Sequence, residues 1–302
     1  MRKILIIGYS SLVKRRIIAT LVKNNIFFDV ASRSKKQKDF NAKNWYHGYE
    51  KALNKSDADI AYISLPNSLH YTWAMKALKK GYHTLVDKPS AINFKELNEL
   101  IKTAKKGKKI LSEAIFFNYH SQIKYLLKEI KKNKIKRLHA SFLIPKPAKN
   151  SILSSSKLKG GVVMDMGPYI SAVSRLFFKS HPTKIIKNIK LKNNISSKIE
   201  VIFYYRDAYF FGKFSHDDSY KNFIDVYFND KVIKLSRVFS PPPNENLKVL
   251  ELVGNNTQSK IFSDDIFKNY IEEIFRIIKT KNYTYYNKQM VCDMKIREIL
   301  QN

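Results

Sequence analysis

The sequence predicts a two-part α/β chain: an open parallel sheet with helices in the N-terminal part, then an α+β part with a large, mostly antiparallel open sheet. Three observations predict it. Strand and helix signals alternate from residue 3 to 113, β-rich runs with apolar–polar alternation dominate from 185 to 238, and 302 residues suit two cores better than one.

In chain order, residues 3–8 are a β-branched run ending in Gly8, and residues 11–24 carry Leu12, Ile17, Ile18, Leu21 and Val22 at helical spacing. Residues 27–31 and 60–64 read as strands, the latter closed by the breaker Pro66. Residues 70–80 form a helix with Gly81 at its end, 83–86 a strand stopped by Pro89, 94–106 a helix ending near Gly107, and 109–113 a strand. Such alternation implies right-handed βαβ units. Ligands bind such sheets beyond the carboxyl ends of the strands, so the loops after Ile7, Ala31, Ser64 and Val86 matter most. Further on come a helix at 121–132, a strand at 137–143, a loop through 145–156 and a helix opened by Gly160-Gly161. Runs at 198–205, 208–214, 223–228 and 231–235 alternate as antiparallel strands with one wet face do. Pro241-Pro242-Pro243 breaks the pattern, and 266–279 and 288–300 close the chain as helices. The boundary is expected near 115–122, giving domains 1–118 and 119–302.

Composition narrows the class. Apolar residues make up 44% of the chain, which excludes a disordered polymer, and no apolar run reaches the ~20 residues of a membrane span. The start, Met1-Arg2-Lys3 followed by a short apolar run, lacks a secretory cleavage pattern. With the lone Cys292 this points to a reducing, cytoplasmic setting. The net charge of +31 is spread along the chain in Lys rather than gathered in a stripe, so it reads as compositional drift. No nucleic-acid or membrane partner is expected, and no metal, because His120, His181 and His216 stand in no ligand pattern.

Two loops carry nucleotide chemistry. Gly8-Tyr9-Ser10-Ser11-Leu12-Val13 keeps only the first glycine of a dinucleotide fingerprint, with Ser10, whose hydroxyl can donate to phosphate, at the second and Val13 at the third. Ala31-Ser32-Arg33-Ser34-Lys35-Lys36 has no acid for a ribose 2′-hydroxyl, but it has hydroxyls and cations for a 2′-phosphate, which favours NADP over NAD. Arg33 can stack on adenine and pair with the phosphate. Leu65, Asn67 and His70 follow one strand, and Asp87, Lys88 and Pro89 another. Proline restricts the residue before it, so Lys88 is held in place. Gly8, Ser10, Ser11, Leu12, Ser32, Arg33, Ser34, Leu65, Asn67, His70, Asp87 and Lys88 are the expected cofactor-binding residues, with His70 a backbone-positioning group rather than a base.

Four segments in order resemble the Gfo/Idh/MocA family, the glucose–fructose oxidoreductase and inositol dehydrogenase relatives. Asp87-Lys88-Pro89 resembles its Glu-Lys-Pro motif, and Leu65-Pro66-Asn67-Ser68-Leu69-His70 its Asn-x-x-His segment. Glu113-Ala114 opens its Glu-Ala segment, with Asn118 for Arg and Ser121 for Pro. Gly160-Gly161 with Asp165, Gly167 and Tyr169 matches its Gly-Gly-x-x-x-Asp-x-Gly-x-His/Tyr helix. The resemblance implies an N-terminal Rossmann fold. Gly8 through Arg16 and Val238 through Pro243 look closer to the nucleotide-sugar 3-ketoreductase and dihydrodiol dehydrogenase branch.

The resemblance implies NADP-dependent hydride transfer between nicotinamide and a sugar carbonyl or hydroxyl, most simply as reduction of a nucleotide-linked keto-sugar. Lys88, Tyr169 and Asp165 are the implied catalytic residues. Tyr169 would donate the proton, Lys88 would face it across the crevice and assist it electrostatically, and Asp165, four residues earlier on the same helix face, would orient a sugar hydroxyl or Lys88. A free-sugar or dihydrodiol dehydrogenase and a non-catalytic cofactor-binding homologue remain as alternatives. A homodimer or homotetramer through the C-terminal sheet is expected.

Overall fold

Strand β1 (Lys3–Ile7) is buried at all five positions, as a strand covered on both faces must be. The computed structural model describes residues 2–33, 41–148 and 151–302. Contacts divide the chain into unit one, Met1–Ala114 with Tyr270–Lys295, and unit two, Ile115–Asn269 with Ile296–Asn302. A single cut at 118/119 does not capture this, because the chain returns to unit one near its end.

In unit one, a π-helical turn (Val13–Ile17) and α1 (Ile18–Lys23) follow β1. Then come β2 (Phe27–Ser32), β3 (Trp45–His47), α2 (Tyr49–Lys55), β4 (Ile60–Ile63), α3 (Asn67–Lys79), β5 (His83–Asp87), α4 (Phe94–Lys106) and β6 (Leu111–Ala114). The strands form one parallel sheet in the order β3-β2-β1-β4-β5-β6, the doubly wound order of dinucleotide-binding folds. Helix α4 shows how local signals set an element. The Asn93 side chain accepts the Glu96 N–H at 2.9 Å and the Glu96 carboxylate accepts the Ile92 N–H at 3.0 Å, while Leu97, Leu100, Ile101 and Ala104 form its buried stripe.

Unit two holds α5 (Ser121–Lys132), β7 (Arg137–Leu143), α6 (Val162–Phe178), β8 (Lys184–Lys192), β9 (Ile195–Tyr205), β10 (Ala208–Ser215), β11 (Lys221–Tyr227), β12 (Lys231–Ser236), β13 (Leu247–Val253) and β14 (Asn256–Phe262). Its eight-stranded sheet runs β14-β13-β12-β11-β7-β10-β9-β8, antiparallel except for the β7–β10 pair. The inward residues Val201, Phe203, Phe210, Phe214, Ile224 and Ile233 share one core with Met166, Ile170, Val173 and Phe177 of α6 and with Ile123 and Leu126 of α5. The division between units falls inside both α7 (Ile266–Lys279) and α8 (Asn287–Gln301).

Candidate functional site

In unit one the candidate residues gather at the carboxyl ends of β1, β2, β4 and β5. Gly8 turns the chain with φ +104°, and a Cβ there would lie 2.1 Å from the Ser64 carbonyl oxygen, so only glycine permits this close approach. The Gly8 N–H donates to Ala31 O at 3.0 Å, tying the turn to β2.

Ser10 does something the sequence did not suggest. Its Oγ accepts the Val13 N–H at 3.1 Å and lies 2.8 Å from Ser64 Oγ. Ser64 Oγ in turn donates to Asp87 Oδ2 at 2.6 Å, and the Tyr62 hydroxyl donates to Asp87 Oδ1. An ionised carboxylate only accepts, so the protons run from Ser10 to Ser64 to Asp87. In this arrangement the Ser10 hydroxyl is directed to Ser64, where the sequence reading has it donate to phosphate. Val13 N–H is likewise engaged, so the first-turn N–H groups of Ser11 and Leu12 are the ones that could hold a pyrophosphate.

At the end of β2, Ser32 is buried and Arg33 exposed. The acid on this strand, Asp29, is fully buried and spent internally: its oxygens accept from Asn44 and Ser56, and Lys3 Nζ lies 2.9 Å away. No acid therefore stands at the strand tip from Ala31 to Arg33. Ser34 lies outside the described residues.

His70, 1% exposed, bridges two loops. Its Nδ1 is 2.7 Å from Pro89 O and its Nε2 2.7 Å from Leu65 O. Both ring nitrogens thus face backbone carbonyls, which ties the loop holding Leu65 and Asn67 to the cis Lys88–Pro89 segment. The far side of that segment is held by Glu113, a buried carboxylate at the end of β6 that accepts the Ser90 N–H at 2.6 Å. The sequence places Glu113 in a motif but assigns it no role. Lys88, half-buried, is thereby flanked by two pinned backbone positions.

In unit two, Gly161 (φ +95°) starts α6, where a Cβ would meet Ser196 Oγ at 2.7 Å. The Asp165 N–H donates to Gly161 O at 2.9 Å, so Asp165 sits in the first helical turn, with Tyr169 one turn later on the same face. The half-buried Tyr169 ring lies among Phe117, Phe142 and Phe239, with centroids 5.9, 5.7 and 5.3 Å away. Asp165 Oδ2 accepts from His216 Nε2 at 2.9 Å. His216 is the residue the sequence reading passed over. The signal was present in the period-2 alternation of β10: Phe210, Gly212 and Phe214 point inward, and His216 continues their series. Among the described residues there is no group of three or more metal-ligating side chains, and no helix is long and apolar enough to cross a membrane.

A parallel sheet in this order with a glycine turn at its first strand defines unit one as a dinucleotide-binding α/β fold. Residues 2–115 match the family described as the Gfo/Idh/MocA oxidoreductase family, NAD-binding Rossmann fold. Over 213 residues the chain is 24% identical to an uncharacterised oxidoreductase of Rhizobium meliloti, covering 68% of this chain and 63% of that one. Over 136 residues it is 31% identical to dTDP-3,4-didehydro-2,6-dideoxy-α-D-glucose 3-reductase of Streptomyces violaceoruber, covering 44% of this chain and 40% of that one. These matches thus span less than two thirds of either relative. In three dimensions, 99% of the chain superposes on 97% of a 3-ketoreductase from Actinomadura kijaniata solved with TDP-benzene and NADP, with a TM-score of 0.91 at 19% identity. That likeness establishes the two-unit fold.

Proposed function

We propose that this protein is an NADP-dependent oxidoreductase that transfers a hydride between nicotinamide and a sugar carbonyl or hydroxyl, working as a reductase of a nucleotide-linked keto-sugar. The observation that carries the reading is the pinning of Lys88: His70 holds Leu65 and Pro89 on one side and Glu113 holds Ser90 on the other. A flexible lysine would need no such frame. The similarity to the Streptomyces reductase and the Actinomadura ketoreductase supports the substrate class.

The residues fit the cofactor. The space a Cβ would fill at Gly8, the first-turn N–H groups of Ser11 and Leu12, and the acid-free tip at Ser32 and Arg33 would hold it, with Leu65, Asn67, Asp87 and Lys88 along its path. When bound, the cofactor supplies the hydride chemistry. The protein's own part is to handle one proton and orient the sugar. Tyr169 donates its phenolic proton to the carbonyl oxygen, Lys88 hydrogen-bonds the substrate, and Asp165 with its partner His216 orients a hydroxyl.

The test is NADPH consumption, followed by absorbance, against a panel of nucleotide-linked keto-sugars and free sugars. Consumption with a nucleotide-linked keto-sugar is expected. NADPH binding without turnover on any member would instead favour a non-catalytic cofactor-binding role.

The reading includes assembly of two or four copies through the eight-stranded sheet. Its face opposite α6 presents Ile186, Tyr204 and Tyr209 in exposed positions, and His139 lies 4.9 Å from both Phe211 and Phe223. Light scattering tests this, and a monomer at micromolar concentration would contradict it.

A further inference from the structure

Unit two contains a cavity of about 320 Å³ that includes His216 in its wall. This is the lower end of the size range of small-molecule sites. Its polar wall is made by Asn193, Ser196 and His216, and its apolar wall includes Leu153 and Ile195. Of the three charged side chains that line it, Lys192 and Asp217 are paired with each other at 2.8 Å, and Lys146 adds one cation at its edge. Hydroxyl- and amide-bearing side chains on one side and aliphatic ones on the other suit a ring that has polar edges and C–H faces, which is the chemistry of a pyranose.

The His216 ring is held in place by Asp165. It is 4% exposed, its backbone N–H donates to Ser197 O at 2.9 Å, and its Nε2 is 2.9 Å from Asp165 Oδ2. A carboxylate accepts only, so Nε2 carries a proton, and in the tautomer protonated there alone Nδ1 is an acceptor. No other hydrogen bond to the ring is made among the described residues, and Nδ1 is not among the enclosed unpartnered atoms.

We propose that His216 is a substrate-positioning residue: Asp165 fixes its ring, and Nδ1 accepts a hydrogen bond from a hydroxyl of the sugar ring in this cavity. The proposal rests on the reading of the protein as a sugar oxidoreductase, and it adds the residue that reads the ring and the place where the ring sits.

Calorimetric titration of dTDP-glucose and of dTDP alone into the full-length wild type, His216→Phe and His216→Gln tests it without turnover. The wild type should bind dTDP-glucose more tightly than dTDP. His216→Phe should lose about tenfold of that difference, the scale of one hydrogen bond, with dTDP affinity unchanged. His216→Gln, which can still donate to Asp165 and accept from the sugar, should keep part of it. Melting curves of both variants check the fold. The proposal is overturned if the glucose moiety adds nothing to wild-type affinity, if folded His216→Phe keeps the full difference, or if both ligands weaken equally. Should the His216-dependent difference appear in a protein that reduces no keto-sugar, the reductase reading falls and the cavity assignment stands. Turnover with a sugar increment that ignores His216 gives the reverse.

Discussion

Ser10 Oγ lies 2.8 Å from Ser64 Oγ and joins the turn after β1 to the end of β4. Because the same oxygen accepts the Val13 N–H, Ser10 serves both as a helix cap and as a bridge. Ser10→Ala should cost about 1 kcal/mol of stability in urea unfolding. Ser10→Gly brings back the glycine spacing of the fingerprint, yet it removes the bridge, so NADPH affinity should stay level or weaken. A dissociation constant more than about threefold tighter in that variant would show that the serine is an erosion rather than a rewiring.

Tyr169 packs against Phe117, Phe142 and Phe239, contacts that a phenylalanine ring preserves. Tyr169→Phe should therefore melt with the wild type while its turnover falls on the order of 10²-fold, the usual scale of acid–base help. Full activity in steady-state kinetics would remove Tyr169 from the chemistry.

His83 is buried at the start of β5 and accepts the Ile110 N–H on Nδ1 at 3.1 Å. Burial, with smaller contributions from Lys109 and Arg2, lowers its pKa from 6.5 to about 4. The unfolded chain binds this proton below pH 6.5 and the folded chain does not until about pH 4. Stability from this group is thus complete above 6.5 and declines as pH falls between the two values, by up to about 3 kcal/mol. Burial shifts His120 and His139 in the same direction. Melting temperature should drop from pH 7.5 to pH 5, and a flat profile would contradict the assignment.

Lys231 stands between Glu129 at 2.7 Å and Glu251 at 2.8 Å, and Tyr125 donates to Glu251 at 2.8 Å. The Lys231 side chain beside it is the largest reason the Glu251 carboxyl is held down at about 2. All three charged side chains are at most 14% exposed, so Lys231→Met would remove the cation shared by two carboxylates, leaving Glu251 with Tyr125 and with Lys260 at 3.4 Å. A loss of about 3 kcal/mol in urea unfolding is expected, and a loss below about 1 kcal/mol would mean that solvent already screens the network.

β1, β2, β4, β5 and β6 of unit one were legible because each is a short apolar run between helix signals and breakers. β14 was not legible: residues 256–261 are exposed, so no buried face imposes alternation on them. β3, with three residues, and α2, with seven, are too short for periodicity to register. Lys88, Asp165 and Tyr169 could be marked from their motifs, whereas His216 and Glu113 earn their places through partners 51 and 23 residues away, at Asp165 and Ser90. The Ser10 bridge escaped for the same reason, since Ser64 is 54 residues distant. The division of α7 and α8 between the two units has no local signature either.

The measurement that tests the central claim most directly is calorimetric titration of NADPH and NADH into the wild type and Arg33→Ala. Arg33 is exposed at the end of β2, where no acid stands from Ala31 to Arg33. The account predicts that the wild type prefers NADPH, that Arg33→Ala loses about tenfold or more in NADPH affinity, the scale of a charge-assisted contact to phosphate, and that NADH binding barely changes. Failure of the wild type to bind either dinucleotide would contradict the account outright.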